Sequence, residues 1–282
     1  MKTILIPTDF SKNAYCALHY ATQLFSNETC KFIILHSFEN QVSNLTSRVD
    51  IGKTEAVVDE LYNTYENKCD AVMHTIVRDN PNDEHTYKTI ATSISLARAI
   101  NRLVVKENVN FVVMGSKGAT GAASVFMGSN TLRMIKKIKN APLLIVPQKL
   151  DFTPIKKIVF TTGFKRAYTA EELQPLITIG EGQNAIVKVA YIHEKEKMTE
   201  SQREHLHQLF DILNPLKPEL HWLHETTDKY DAVTSYINKK NVEMLAMVYY
   251  KHNFFVSLFR EAVVKNIAEQ SAVPFLILPS KS

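Results

Sequence analysis

Gly115-Ser116-Lys117-Gly118, nine further residues and then Gly128-Ser129-Asn130 are the positions in this chain whose types and spacing best suit chemistry. Glycines let the backbone pass close to an anion and take positive φ cheaply, so main-chain N–H groups can gather around phosphate oxygens. Ser129 adds a hydroxyl that can cap a helix or meet a phosphate. The chemistry this points to is the holding of a phosphorylated ligand. The plainer alternative is that the glycines only shape a turn between a strand and a helix. The spacing is neither G-x-x-x-x-G-K-S/T nor the G-x-G-x-x-G dinucleotide fingerprint, so those two chemistries lose ground.

Such a loop needs a strand to lead into it and a helix to lead out. Phe111-Val112-Val113-Met114 is a short apolar run of strand type, and Leu132, Ile135 and Ile138 repeat at helical spacing. One glycine pair therefore falls at a strand end. The third glycine falls at a helix start, where unpaired N–H groups carry the positive end of the helix dipole. Ile4-Leu5-Ile6, Phe32-Ile33-Ile34-Leu35 and Pro142-Leu143-Leu144-Ile145-Val146-Pro147 are further apolar strand runs. Alternation predicts another strand over 71–77, ending at Arg78-Asp79-Asn80-Pro81, and helical patterns are predicted over 14–24, 56–65 and about 89–107. Strands and helices in alternation, with continuous apolar strands, predict a parallel α/β sheet covered on both faces. Ligands of such sheets sit beyond the carboxyl ends of the strands, where the strand order switches. Asp9, Ser37 and Gly115 all fall just past strand ends, which places them on one rim.

The chain then repeats itself. Lys156 to Phe164 parallels Lys2 to Phe10, Asn241 to Met247 parallels Asn108 to Met114, and Val273 to Pro279 parallels Ala141 to Pro147. The offsets are 154, 133 and 132, so the second copy is 22 residues shorter, mostly between its first and fourth strands. A duplicated domain explains this better than one large sheet, and 282 residues give each copy enough chain for its own core.

Composition narrows the function classes. A net charge of +4, with no Lys/Arg run longer than two, does not point to nucleic acid, and Lys136-Lys137 reads as part of a solvated face. Cys16, Cys30 and Cys69 form no disulfide framework and suit a reducing compartment. The start Met1-Lys2-Thr3-Ile4 reads as a strand rather than a signal peptide, and no uncharged apolar span approaches membrane length, so a cytoplasmic protein is expected. His205-x-His207 would point to different helix faces, and no recognised metal pattern joins His221 and His224. No catalytic constellation is legible, and no catalytic residue is assigned.

Together these residues resemble the universal stress protein family in its tandem-domain form. Its nucleotide-binding members carry G-x-x-G-x(9)-G followed by Ser or Thr, matched here by Gly115, Gly118, Gly128 and Ser129. Pro7-Thr8-Asp9-Phe10-Ser11 and 142–147 look like the family's first and last strands. The resemblance implies two tandem Rossmann-like domains, 1–148 and 155–282, each a five-stranded parallel sheet with helices on both faces. It implies ATP as the ligand, with ADP or AMP as alternatives and Mg²⁺ as a companion. Carried over, Asp9 would lie near ribose or adenine, and Ser37 would meet adenine through its backbone. Gly115, Gly118, Gly128, Ser129 and Asn130 would cradle the phosphates, with Pro7, Thr8 and Met114 completing the strand-end wall. Asp9 also has a local reading, as a turn residue capping the helix at Ser11. Pairing of the two domains, a homodimer and a stress-response or regulatory role are implied too. A weak ATP hydrolase or a nucleotide-free interaction module remains an alternative. The second copy departs from the pattern, with Gly163 for Asp9, Val248-Tyr249-Tyr250-Lys251 for 115–118 and Arg260-Glu261 for Gly128-Ser129, so it is expected not to bind ATP in the family manner.

Overall fold

The computed structural model describes residues 1–46, 51–117, 128–148, 150–193, 198–224, 229–249 and 273–280. The chain separates into two compact units, with the change at Asp151–Phe152. In the first, β1 (Lys2–Pro7), β2 (Cys30–Ser37), β3 (His85–Thr92), β4 (Phe111–Gly115) and β5 (Leu143–Val146) form a parallel sheet in the order β3-β2-β1-β4-β5. The helices are α1 (Lys12–Leu24), α2 (Glu39–Thr46), α3 (Ile51–Asp79), α4 (Leu96–Lys106) and α5 (Ser129–Lys137). Right-handed crossovers place α1 and α3 on one face and α4 and α5 on the other. In keeping with this, α1 packs with α3, and α4 with α5.

Helices on both faces explain the continuous apolar strands. Ile4, Leu5, Ile6, Ile33, Ile34, Leu35, Val112 and Val113 are all buried, so side chains of both parities need apolar surroundings. The strand order reverses between β1 and β4, which makes their carboxyl ends the switch point.

The third strand is not where alternation placed it. Residues 71–77 are the last turns of α3, and β3 lies at His85–Thr92. Cys69 and Ile76 face inward one heptad apart while Val77 is exposed, so the burial there follows a helical period. The strand itself covers the start of the stretch predicted as helix, and α4 begins only at Leu96. β3 is an edge strand, with Thr86 and Lys88 exposed, and so lacks the apolar run that marks its neighbours.

The second unit consists of β6 (Lys157–Thr162), α6 (Ala170–Gln183), β7 (Ile186–His193), α7 (Glu200–Leu213), a 3-10 turn (Asn214–Leu216), β8 (Glu219–His224), α8 (Lys229–Lys240), β9 (Met244–Tyr249) and β10 (Phe275–Pro279). Its sheet is parallel in the order β10-β9-β6-β7-β8. The two units repeat one another in detail. Phe10 and Phe164 have φ of 64° and 53°, and Asn108 and Asn241 have 48° and 49°. The Thr3 N–H donates to Asn110 Oδ1 at 2.8 Å, and the Lys157 N–H donates to Glu243 Oε2 at 2.8 Å. Left-handed backbone at a phenylalanine is uncommon, so its recurrence at matched positions points to one turn used twice.

Candidate functional site

The turn after β1 builds one side of the rim. The Thr8 N–H donates to the Leu35 carbonyl at 2.8 Å, which carries the chain past β2. Thr8 Oγ1 accepts the Phe10 N–H at 3.0 Å and supports the left-handed Phe10. Asp9 Oδ1 accepts from the Ser11 N–H at 3.1 Å and from Ser11 Oγ at 2.6 Å, while Ser11 Oγ accepts the Ala14 N–H at 3.2 Å as the cap of α1. Asp9 therefore does have the local role considered above, and it also lines the cleft described below. His36 is buried, which lowers its pKa and keeps the ring neutral, and its Nδ1–H donates to the Thr8 carbonyl at 2.8 Å. Ser37 Oγ donates to the Ile94 carbonyl at 2.8 Å and fixes the approach to α4 against the end of β2.

The β4–α5 connection builds the other side. The Ser116 N–H donates to the Val146 carbonyl and the Gly128 N–H donates to the Ser116 carbonyl, both at 2.8 Å. Thr131 Oγ1 donates to the Gly115 carbonyl at 3.1 Å, tying the first turn of α5 to the end of β4. The amide of Gly128 is thus spent on closing the loop, while α5 itself starts with no side-chain cap. No described glycine has positive φ, so the cheap left-handed backbone expected from the sequence is not the reason for Gly115. A Cβ there would lie 2.9 Å from the Asn13 carbonyl oxygen and 3.1 Å from its carbon. Gly115 is a glycine because the backbone of α1 passes directly over it.

Between these sides lies a cleft of about 570 Å³ at the carboxyl ends of β1 and β4. Of the residues singled out from the sequence, Pro7, Thr8, Asp9, Ser37, Met114, Gly115 and Asn130 line it. Gly128 is adjacent and outside its wall, Ser129 is the first residue of α5, and Gly118 lies outside the described residues. Sequence reasoning missed Glu39, Asn40, Arg98, Asn101, Arg133 and Lys137 and gave Lys117, inside the glycine stretch, no role of its own, yet all of these line the same cleft. Lys137 belongs to a pair read as a solvated face, but only Lys136 is absent from the wall. The signal available was the one-turn spacing of Arg133 and Lys137 downstream of the glycine motif. The wall of the cleft carries both signs of charge, the carboxylates Asp9 and Glu39 just after β1 and β2 and the cations Arg98, Arg133 and Lys137 on α4 and α5.

The corresponding turn of the second unit is tied down by its own side chains. Gln202 Nε2 donates to the Gly163 carbonyl at 3.0 Å, and His205 Nδ1 to the Phe164 carbonyl at 2.8 Å. Arg166 grips the buried Glu172 through two hydrogen bonds of 2.9 and 2.6 Å. At the end of β9, buried Val248 stands where Gly115 ends β4, followed by Tyr249. Tyr250, Lys251, Arg260 and Glu261, which complete the sequence comparison, lie outside the described residues.

The model of the universal stress protein family matches residues 1–147. The chain belongs to the universal stress protein family. Universal stress protein MJ0577 of Methanocaldococcus jannaschii is 28% identical over 156 residues, 52% of this chain and 96% of that protein. The fold extends over both units. A solved universal stress protein from Archaeoglobus fulgidus has a TM-score of 0.59 at 15% identity, covering 98% of this chain and 96% of its own. A putative one from Pseudomonas aeruginosa gives 0.55 at 10% identity, covering 99% of this chain and 93% of its own. For this universal stress protein, no helix among the described residues is long and apolar enough to cross a membrane. No cluster of three or more metal-ligating side chains occurs among them either.

Proposed function

We propose that this universal stress protein binds an adenine nucleotide, ATP in the first instance, in the cleft of its first unit, and serves a regulatory or stress-response role. The observation that carries this reading is the polarity of the cleft. Asp9, Glu39 and Asn40 can accept or share hydrogen bonds with ribose hydroxyls and a base, while an uncapped helix start and several cations face an anionic tail. Its volume lies within the usual range for small-molecule sites. Gly115, Gly118, Ser129 and Asn130 would approach the phosphates, Ser37 and Met114 the base, and Pro7, Thr8 and Asp9 the sugar side. Mg²⁺ would arrive with the phosphates, since the ion is commonly held by one or two carboxylates together with substrate oxygens. The second unit, 155–282 in this reading, is a degenerate copy that has given up the site. None of Cys16, Cys30 and Cys69 forms a disulfide, which accords with a reducing compartment, and the cytoplasm is the proposed location.

A ligand bound only by the native state stabilises it by RT ln(1 + [L]/Kd), about 2.7 kcal/mol at a hundredfold excess over Kd. Purified protein should therefore melt at a clearly higher temperature with millimolar ATP than without. An unchanged melting curve with ATP, ADP and AMP alike would leave the cleft without a nucleotide role.

A further inference from the structure

Asn101 Nδ2 on α4 donates to the Lys137 carbonyl of α5 at 3.0 Å, so the two helices meet along this line. Both run back from the carboxyl edge of the sheet. Arg98 lies about one turn nearer the mouth of the cleft than Asn101, and Arg133 about one turn nearer than Lys137. All three cations line the cleft. Among the described residues, none of their side chains has a hydrogen-bond or ion-pair partner. Lys137 suits the negative end of the α5 dipole, but Arg133 one turn before it is a like charge at a repelling distance. Helix stability does not ask for that pair. A single phosphate at the start of α5 would leave most of this charge unused, whereas cations spread over about 5.4 Å match a chain of phosphates.

We propose that Arg98, Arg133 and Lys137 form a rail for a phosphate chain, making the site selective for nucleoside triphosphates over monophosphates. The inference rests on the nucleotide reading above and adds which part of the nucleotide the chain discriminates. Charge-assisted hydrogen bonds are the strong ones, so each lost cation weakens the triphosphate more than the monophosphate. The test is isothermal titration of the full chain with ATP and with AMP at matched ionic strength. The wild type should prefer ATP by about a hundredfold or more, and R98Q, R133Q and K137Q should each lower the ATP:AMP affinity ratio by about tenfold, the scale of one charged hydrogen bond. R102Q removes the same charge from an exposed position on α4 outside the cleft and should leave the ratio intact. Equal binding of ATP and AMP by the wild type, or an unchanged ratio in all three rail variants, would overturn the rail. Binding of neither nucleotide would instead be the failure of the underlying reading.

Discussion

At the scale of single residues, Gly115 illustrates how one position can belong to a motif for two reasons. The sequence places it in a phosphate-type loop, and the structure shows a helix backbone so near that a methyl group would collide with it. The neighbour is main chain, at 2.9 Å from the added Cβ, so relief requires moving α1 rather than turning a side chain. Gly115→Ala should destabilise the protein by about 1–3 kcal/mol, the usual cost of overpacking. Urea denaturation followed by circular dichroism measures this, and an unchanged midpoint would show that α1 yields freely. Loss of nucleotide binding in this variant would not by itself implicate Gly115 in ligand contact. Asp9 carries a similar double role, since the carboxylate that lines the cleft also organises the Ser11 cap.

At the scale of elements, legibility followed how strongly each segment was buried. The apolar strands β1, β2, β4 and β5 were evident because side chains on both of their faces are buried, and the repeat was evident because the same apolar runs recur. β3 was missed because an edge strand of Thr, Lys and His needs little apolar content, while the tail of α3 alternates by chance between Ala71 and Val77. The cleft-facing cations were missed because a lysine or arginine on a helix reads as solvated until neighbouring helices are placed. The edge is also held electrostatically. Glu107, at the C-terminal cap of α4, accepts from Lys31 of β2 at 2.7 Å and from Lys88 of β3 at 2.9 Å. These hydrogen bonds lower its pKa from the ordinary 4.5 to about 2. A folded-state pKa below the unfolded one means that protons bind more readily to the unfolded chain, so this contribution exists above about pH 4.5 and disappears as pH falls toward 2. Wild type should exceed Glu107→Gln in urea midpoint at pH 6, with the gap closing between pH 4.5 and 2. A gap that stayed constant over that interval would remove Glu107 as its source.

At the scale of the whole molecule, the two units share one topology and differ in strand-end chemistry. The first keeps an open cleft, a carboxylate at position 9 and a glycine at the end of β4. The second replaces that glycine with buried Val248 and engages the carbonyls of Gly163 and Phe164 with Gln202 and His205. Restoring a single residue would not reverse this, because Gly163→Asp supplies a carboxylate while leaving Val248 in place. Equilibrium dialysis with ATP should therefore saturate at one nucleotide per chain, and Gly163→Asp should not raise that number. Two equivalent sites in the wild type would mean that the second unit binds through groups other than those matching the family motif. Saturation at one site that survives Gly115→Val and vanishes on disrupting the end of β9 would relocate the ligand altogether. Both units reverse strand order, between β1 and β4 and between β6 and β9, so the expectation of a single site rests on Gly115 at the end of β4 against buried Val248 near the end of β9, and on the cations that line the first unit's cleft.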